Sequence, residues 1–463
     1  MGRSVGWAAV LVGWMAAEGV AGDHPAPEVP SHAIRPPESS SERRITGRQK
    51  VLLLRDTIRA TVAASVHSPW HSAAVGTARL AERVAVRVAE AIPRGPTSPV
   101  RQDPEAGGPR TPARLTPLFD SEPAYRALLD LIAGARCRVD LMIFGWDDDE
   151  AGRTVAAALV ERARAGVRVR LMVDRGGYVL GEGNARVGLG LPTFLDALQA
   201  EPNIRVIEAP DPCFRFDHRK VAVVDDRVVW TGGMILTAPS LTRWHNFAFL
   251  AEGAAIVPQY AALFADRWAE LGGEAAPAGP GPIEGPPVVP NAAVRMVRTD
   301  IGHRSLKEAV YGAVDAARHH IYIENPYVSD QILVKKLVAA SRRGVDVRAV
   351  LTVRGNVPVM NKFSTLAANS LLRGGARVYL YPAMTHVKAM SVDGTLAYLG
   401  TGNFDELSLR NNREVSLTVR GEPLIREIDA GLFFRDMAAS EELRDPLPPP
   451  RGRLFLEATR LLY

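Results

Sequence analysis

A chain of 463 residues exceeds what one ordinary hydrophobic core supports, so two domains or one large pseudo-symmetric body are expected. Hydrophobic residues at 47% and charged residues at 23% exclude a fibrous or largely disordered chain and fit a soluble globular one. The net charge of +5 rests on arginine, because seven of the 56 basic residues are lysine; this fits an anionic substrate or surface, or a plain compositional bias. Two cysteines, Cys137 and Cys213, exclude a disulfide framework and a cysteine metal cluster. Cys137 lies in a strand-like run and reads as a buried thiol, with a bridge to Cys213 left open.

Residues 1–22 form a signal-like segment. Arg3 precedes an apolar run over 5–17, then Glu18 leads into Gly19-Val20-Ala21-Gly22, with cleavage expected after Gly22. That run is too short to span a bilayer, and no other stretch approaches the roughly 18 apolar residues a spanning helix needs. Export is the expectation and a peripheral place on the cytoplasmic face the alternative; either way a membrane would be met at its surface. Residues 23–114 read as an N-terminal extension. Within it, 23–46 look disordered and 49–92 look mostly helical with a break at Pro69. Along 77–88 apolar and basic residues alternate around the helix, which packs on the body or lies on lipid. Residues 93–117 hold seven prolines and three glycines and read as a linker.

An internal repeat follows. Ala135-Arg136-Cys137-Arg138 leads into the apolar run Val139-Asp140-Leu141-Met142-Ile143, as Ala317-Arg318-His319-His320 leads into Ile321-Tyr322-Ile323. A helical stretch comes next, over 152–164 or 332–343, and closes at Gly166 or Gly344, where a C-cap glycine is expected. Strand, helix and strand in that order form a βαβ unit with parallel pairing and a right-handed crossover. The first half is placed at 115–273, a Pro/Gly/Ala-rich linker at 274–292 and the second half at 293–463. About ten extra residues in the first half fall in the loop around 178–192.

Two copies of one pattern carry the chemistry. His218-Arg219-Lys220 with Asp225, and His386-Val387-Lys388 with Asp393, each spell H-x-K-x-x-x-x-D, with Gly232 or Gly400 standing after six further residues. Two of the seven lysines fall in these copies, so chance explains the pair poorly. Each copy runs into a strand, whose period of two projects His and Lys to one side. Cleaving a phosphodiester requires a nucleophile, an acid for the leaving oxygen and cations on the equatorial oxygens. Two imidazoles fill the first two roles and Lys220 and Lys388 the third, with no metal and no cofactor expected. Gly232, Gly233, Thr401 and Asn403 are candidate donors to phosphate, and Asn412 and Glu414 join them as candidate substrate contacts. Asp225 and Asp393 either orient an imidazole or anchor a strand-end turn. His245 reads as structural, His319 and His320 as a solvated strand entry, and Asp147-Asp148-Asp149-Glu150 as a helix N-terminus rather than a metal site.

These motifs resemble the phospholipase D superfamily, whose members carry two such patterns on a duplicated α/β fold; the resemblance spans about 115–460. Within it the chain is most similar to bacterial cardiolipin synthases. That likeness rests on Gly232-Gly233-Met234, Arg243-Trp244, Phe264 with Trp268, Pro326-Tyr327, Gly400-Thr401-Gly402-Asn403-Phe404-Asp405, and Asn412 with Glu414. It implies a pseudo-two-fold body of two mixed or parallel sheets flanked by helices, with the active site between the halves. It further implies that His218 attacks to form a phosphohistidine, that His386 is acid and then base, and that Lys220, Lys388 and Asn403 bind phosphate. The implied substrate is phosphatidylglycerol, an anionic phospholipid at a membrane surface, joined to a second copy through an alcohol acceptor. Hydrolysis by water and cleavage of nucleic acid are the alternatives, and a binding protein with a decayed site is a third. Ile235 stands where similar synthases carry Asn, Leu407 where an arginine is common, and two N-terminal membrane helices give way to the signal-like segment.

Overall fold

The computed structural model describes residues 108–174, 176–177, 193–209, 215–274, 287–300 and 302–450. The signal-like segment, the helical extension, the loop at 178–192, Cys213 and most of the linker at 274–292 lie outside the described residues.

The first half opens with β1 (Thr111–Phe119), α1 (Ser121–Gly134), β2 (Arg138–Ile143), α2 (Glu150–Arg164) and β3 (Arg168–Asp174). It continues through α3 (Thr193–Ala200), β4 (Ile204–Ala209), β5 (Val221–Val224), β6 (Val228–Gly232) and α4 (Ala238–Thr242). It closes with β7 (Trp244–His245), β8 (Phe247–Glu252) and α5 (Ile256–Glu270). The second half opens with β9 (Ala292–Thr299), α6 (Ser305–Ala316), β10 (His320–Asn325), α7 (Gln331–Arg342) and β11 (Asp346–Leu351). After α8 (Pro358–Arg373) come β12 (Arg377–Leu380), β13 (Met384–Thr385), β14 (Ala389–Val392), β15 (Leu396–Gly400) and α9 (Glu406–Arg410). Then follow β16 (Glu414–Arg420), α10 (Glu422–Ile428), a π-helical turn (Asp429–Phe434), α11 (Arg435–Ala439) and β17 (Glu441–Leu443).

The repeat folds as a repeat. β2 pairs parallel with β3 and β10 with β11, the pairing a βαβ crossover demands. Gly166 and Gly344 both take φ of 92°, so each helix ends on the left-handed residue that glycine supplies without strain. From β5 onward, β5, β6, α4 and β8 have their counterparts β14, β15, α9 and β16 at 168 positions later. The two expected sheets are continuous. The strand order is β17-β12-β11-β10-β14-β15-β16-β9-β1-β8-β6-β5-β2-β3-β4, and the halves meet where Thr111, Pro112 and Ala113 pair with Val294, Ala293 and Ala292.

β1 begins inside the stretch that its prolines mark as linker. Its first three residues pair with β9 and the next six with β8, so no residue of the strand is paired on both sides. Pro112 and Pro117 therefore take strand positions without breaking a second ladder. Cys137 is half-buried with a free thiol rather than fully enclosed, because it sits at the turn just before β2. Asp149 caps α2 by accepting from the Gly152 amide at 3.0 Å, the role expected for the acidic run.

Each half has its own core: Leu128, Ile132, Leu159 and Trp230 in the first, Val310, Leu337, Ile323 and Leu371 in the second. A third core crosses between them, with Phe247, Phe249 and Tyr260 packed among Val387, Leu417, Ile425 and Phe433. Full burial of such side chains contributes about 1.5–3 kcal/mol each, so the seam is a packed core and not a hinge.

Candidate active site

The strand lead-ins bring the two motifs together by pairing across the seam. β7 runs parallel to β13, and the His386 amide donates to the His245 carbonyl at 2.6 Å. In the mirror arrangement Asp217 bridges to Arg413, and the His218 amide donates to the Arg413 carbonyl at 3.0 Å. Each catalytic histidine candidate is thus anchored on the opposite half. Gly233 allows the close approach: a Cβ there would stand 2.2 Å from the His386 carbonyl oxygen. His218, Lys220, His386 and Lys388 are all buried. Lys220 Nζ donates to the His218 carbonyl at 2.6 Å, and Lys388 Nζ to the His386 carbonyl at 2.8 Å. Phe144 sets its ring edge-to-face with His218 and beneath the Lys220 ammonium, while Trp244 lies against His386.

The two imidazoles differ in what holds them. His218 Nδ1 lies 2.8 Å from Glu414 Oε1, and that carboxylate also accepts from the hydroxyls of Ser408 and Thr401 at 2.7 and 2.6 Å. His386 Nδ1 lies 3.3 Å from Asn246 Oδ1. The Asn246 amide nitrogen donates to the Ser240 carbonyl at 2.9 Å, which fixes the amide with its oxygen toward His386. Both contacts leave Nε2 as the working atom. Asn246 follows Lys220 by the same 26 residues that separate Glu414 from Lys388, so an amide stands where the other half has a carboxylate.

Burial and mutual repulsion dominate the electrostatics. Burial, then Lys220 and Lys388, hold His218 well below its ordinary range; burial, then the two lysines and His218, do the same to His386. Burial brings the Lys220 ammonium down to about 7 against the pull of Glu414, and burial with Lys220 depresses Lys388 further. Burial pushes Glu414 up to about 7, opposed by Lys220 and by its hydroxyl donors. Both partners of the His218–Glu414 contact therefore favour their neutral forms, and the pair holds its proton jointly.

Several expected contacts are replaced by structural ones. Asp225 accepts from the amides of Arg136, Cys137 and Arg138, and Asp393 from those of Arg318, His319 and His320. The motif aspartates therefore clamp strand entries at the far end of their strands and orient no imidazole. Both take positive φ, 54° and 53°, a turn conformation that Asp tolerates. The Gly233 and Thr401 amides donate to the Phe247 and Val415 carbonyls, so they serve the sheet rather than a phosphate. The Thr401 hydroxyl and Glu414 serve His218, and Asn412 Oδ1 accepts from the Phe216 amide at 3.1 Å. Gly232 is required for packing, since a Cβ there would meet the Phe247 carbonyl at 2.4 Å. Asn403 is buried with its Oδ1 unpartnered, beside Asp405, which burial pushes up to about 7. Ile235, its counterpart, packs against Gly145 and presents no polar atom. Leu407 offers its carbonyl to the Asn411 and Asn412 amides, which closes the turn after α9.

Sequence reasoning passed over Asn246, Ser408, Phe144 and the surroundings of His245. The shared spacing of 26 could have identified Asn246. His245 is structural as expected, yet it is ionised in a buried cluster. Burial alone would lower it, but Asp120, Asp436 and Glu324 outweigh burial and raise it to about 10.

Residues 128–268 and 311–433 match the family model described as cardiolipin synthase, PLD-like domain. Cardiolipin synthase A of Klebsiella pneumoniae is 26% identical over 346 residues, covering 71% of this chain and 68% of that protein. Cardiolipin synthase A of Edwardsiella ictaluri is 27% identical over 378 residues, covering 76% and 74% respectively. The crystal structure of phosphatidylserine synthase from Haemophilus influenzae superposes with a TM-score of 0.59 at 13% identity, over 82% of this chain and 96% of that one. That likeness shows the fold, and the matched segments enclose both H-x-K motifs together with Asn246 and Glu414. The chain belongs to the cardiolipin synthase family of phospholipase D-like enzymes.

Proposed function

We propose that the protein is a phosphatidyltransferase that joins two phosphatidylglycerols into cardiolipin and glycerol through a phosphohistidine. The observation that carries this reading is the pair of buried Nε2 atoms beside Lys220 and Lys388, one imidazole backed by Glu414 and the other by Asn246. The carboxylate-backed imidazole, His218, is the nucleophile, because Glu414 offsets the positive charge that develops as its ring bonds phosphorus. His386 is the acid. A phosphodiester monoanion between the lysines supplies a counter-charge that draws the His386 pKa upward and makes its protonated form available.

In the first step His218 Nε2 forms a bond to phosphorus, and the bond to the headgroup glycerol oxygen breaks. That oxygen takes the His386 proton, and glycerol leaves. In the second step the primary hydroxyl oxygen of another phosphatidylglycerol bonds phosphorus, its proton passes to neutral His386, and the His218–phosphorus bond breaks. Water in place of the alcohol yields phosphatidic acid. Asn403 is assigned to the phosphate: turning its amide presents Nδ2, while protonated Asp405 donates to the oxygen left behind. Because the substrate resides in a bilayer, the protein works at a lipid surface; among the described residues no helix is long and apolar enough to cross a membrane.

Product analysis of the full chain with phosphatidylglycerol vesicles tests this reading. Cardiolipin and glycerol in equal amounts are expected. Phosphatidic acid alone reassigns the enzyme as a hydrolase, and plasmid cleavage with untouched lipid defeats the lipid reading.

A further inference from the structure

A second buried cluster crosses the seam behind His386. His245 on β7, Glu324 on β10 and Asp436 on α11 place one ligand atom each within 4.8 Å of one another, all buried. We propose that this cluster is a site for a divalent transition-metal ion of the Zn2+ or Mn2+ type, which fastens the two halves together.

The inner atoms suit a single ion. His245 Nε2 lies 2.8 Å from Asp436 Oδ2 and 3.8 Å from Glu324 Oε1. Such spans match neighbouring ligands at bond lengths of about 2.0–2.2 Å, with small adjustments. One outer atom, Asp436 Oδ1, is already held, and the outer nitrogen of His245 faces a carboxylate. His245 Nδ1 faces Asp120 Oδ1 at 3.2 Å, the carboxylate behind the imidazole that orients a metal-bound histidine. Asp436 Oδ1 accepts from Arg435 Nε at 2.9 Å, and the inner oxygen Glu324 Oε1 also accepts from the Thr385 hydroxyl. Glu324 Oε2 remains with no hydrogen-bond partner on a side chain of 0% exposure. A buried oxygen left bare in this way is costly without a cation beside it. Tyr381 stacks on the His245 ring and fixes its plane.

The charge count points the same way. Three carboxylates, Asp120, Glu324 and Asp436, face two cations, Arg435 and the ionised His245; a divalent ion that displaces the His245 proton leaves Arg435 and the ion against the three carboxylates and closes the balance. Arg435 Nη2 is the competing cation, 3.3 Å from His245 Nε2; its side chain is 42% exposed and swings outward to admit the ion. The cluster is particular to this side of the molecule. At the matching positions the other half has Arg413, Met142 and Trp268, which form no ligand set. The ion takes no part in bond-making: it stiffens the strand whose His245 carbonyl receives the His386 amide.

The test uses the full chain, stripped with chelator, then titrated with Zn2+ and separately with Mn2+ by calorimetry and thermal unfolding. One equivalent of at least one ion is expected, with a rise in Tm that follows its concentration. Glu324→Gln preserves the Thr385 contact and keeps the metal-free Tm at or above the parent value, while weakening binding by about tenfold or more. His245→Gln is expected to abolish the Tm response. Absence of saturable binding up to millimolar metal overturns the proposal. So does stoichiometric binding that persists unchanged in both variants, which would place the ion elsewhere. Neither readout depends on lipid turnover.

Discussion

Replacing Glu414 by glutamine should make the protein more stable and less active at the same time. The carboxyl is buried at 1% exposure, and its folded pKa of about 7 lies above the ordinary 4.5. A pKa raised by folding means the fold favours the protonated acid. Stability is then fully present below about 4.5 and falls by about 1.4 kcal/mol per pH unit as the pH rises toward 7. By pH 8 the penalty amounts to about 3 kcal/mol. A neutral amide escapes it, less about 1 kcal/mol for the Thr401 hydrogen bond that must reverse. Glu414→Gln should therefore gain about 2 kcal/mol at pH 8 and lose about 1 kcal/mol at pH 4, read by urea denaturation at the two pH values. Catalysis moves the other way. The amide still accepts from His218 Nδ1, but a neutral acceptor gives up about 1–2 kcal/mol relative to a charged one. Initial rates on phosphatidylglycerol vesicles should fall about 5- to 30-fold. Unchanged turnover, or a loss of stability at pH 8, would refute the role given to this carboxylate.

Asn246→Asp should place a carboxylate behind His386, raise its pKa and move the alkaline limb of kcat/KM upward by about a pH unit, measured in a pH–rate profile. The same change should cost about 2 kcal/mol of stability, because the donor to the Ser240 carbonyl is lost. Asp225→Asn and Asp393→Asn should each destabilise by about 1–2 kcal/mol in denaturant melts while leaving kcat of the folded protein intact. A collapse of kcat without loss of stability would return the motif aspartates to the reaction. Gly233→Ala drives a methyl into the His386 carbonyl and should lower turnover about a hundredfold with substrate saturating.

The repeat was legible because its signals are local. A βαβ unit shows as strand, helix and C-cap glycine within about forty residues, and Gly166 and Gly344 adopt the expected left-handed turn. The H-x-K pairs were legible because period-two projection puts both side chains on one face. The choice between the two roles left open for the motif aspartates was not legible, because a spacing does not tell which end of a strand a carboxylate occupies. Asp225 lies at the end of β5 remote from His218, where the antiparallel register sets it against the entry to β2. Glu414 was noticed but given to substrate, because its partner His218 lies 196 residues away and only the seam joins them. β1 was hidden by its prolines, which forbid a central strand in general and are tolerated here because the strand changes neighbour midway.

The unequal backing of the two imidazoles has a consequence for how such a site can diverge. Two identical subunits assembled about a dyad must carry the same residue behind both histidines, so any change there alters both at once. In this chain Asn246 and Glu414 are separate codons, and a substitution behind one ring leaves the other untouched. Covalent fusion thereby releases the site from its own symmetry: one imidazole is free to specialise in bonding phosphorus and the other in shuttling a proton.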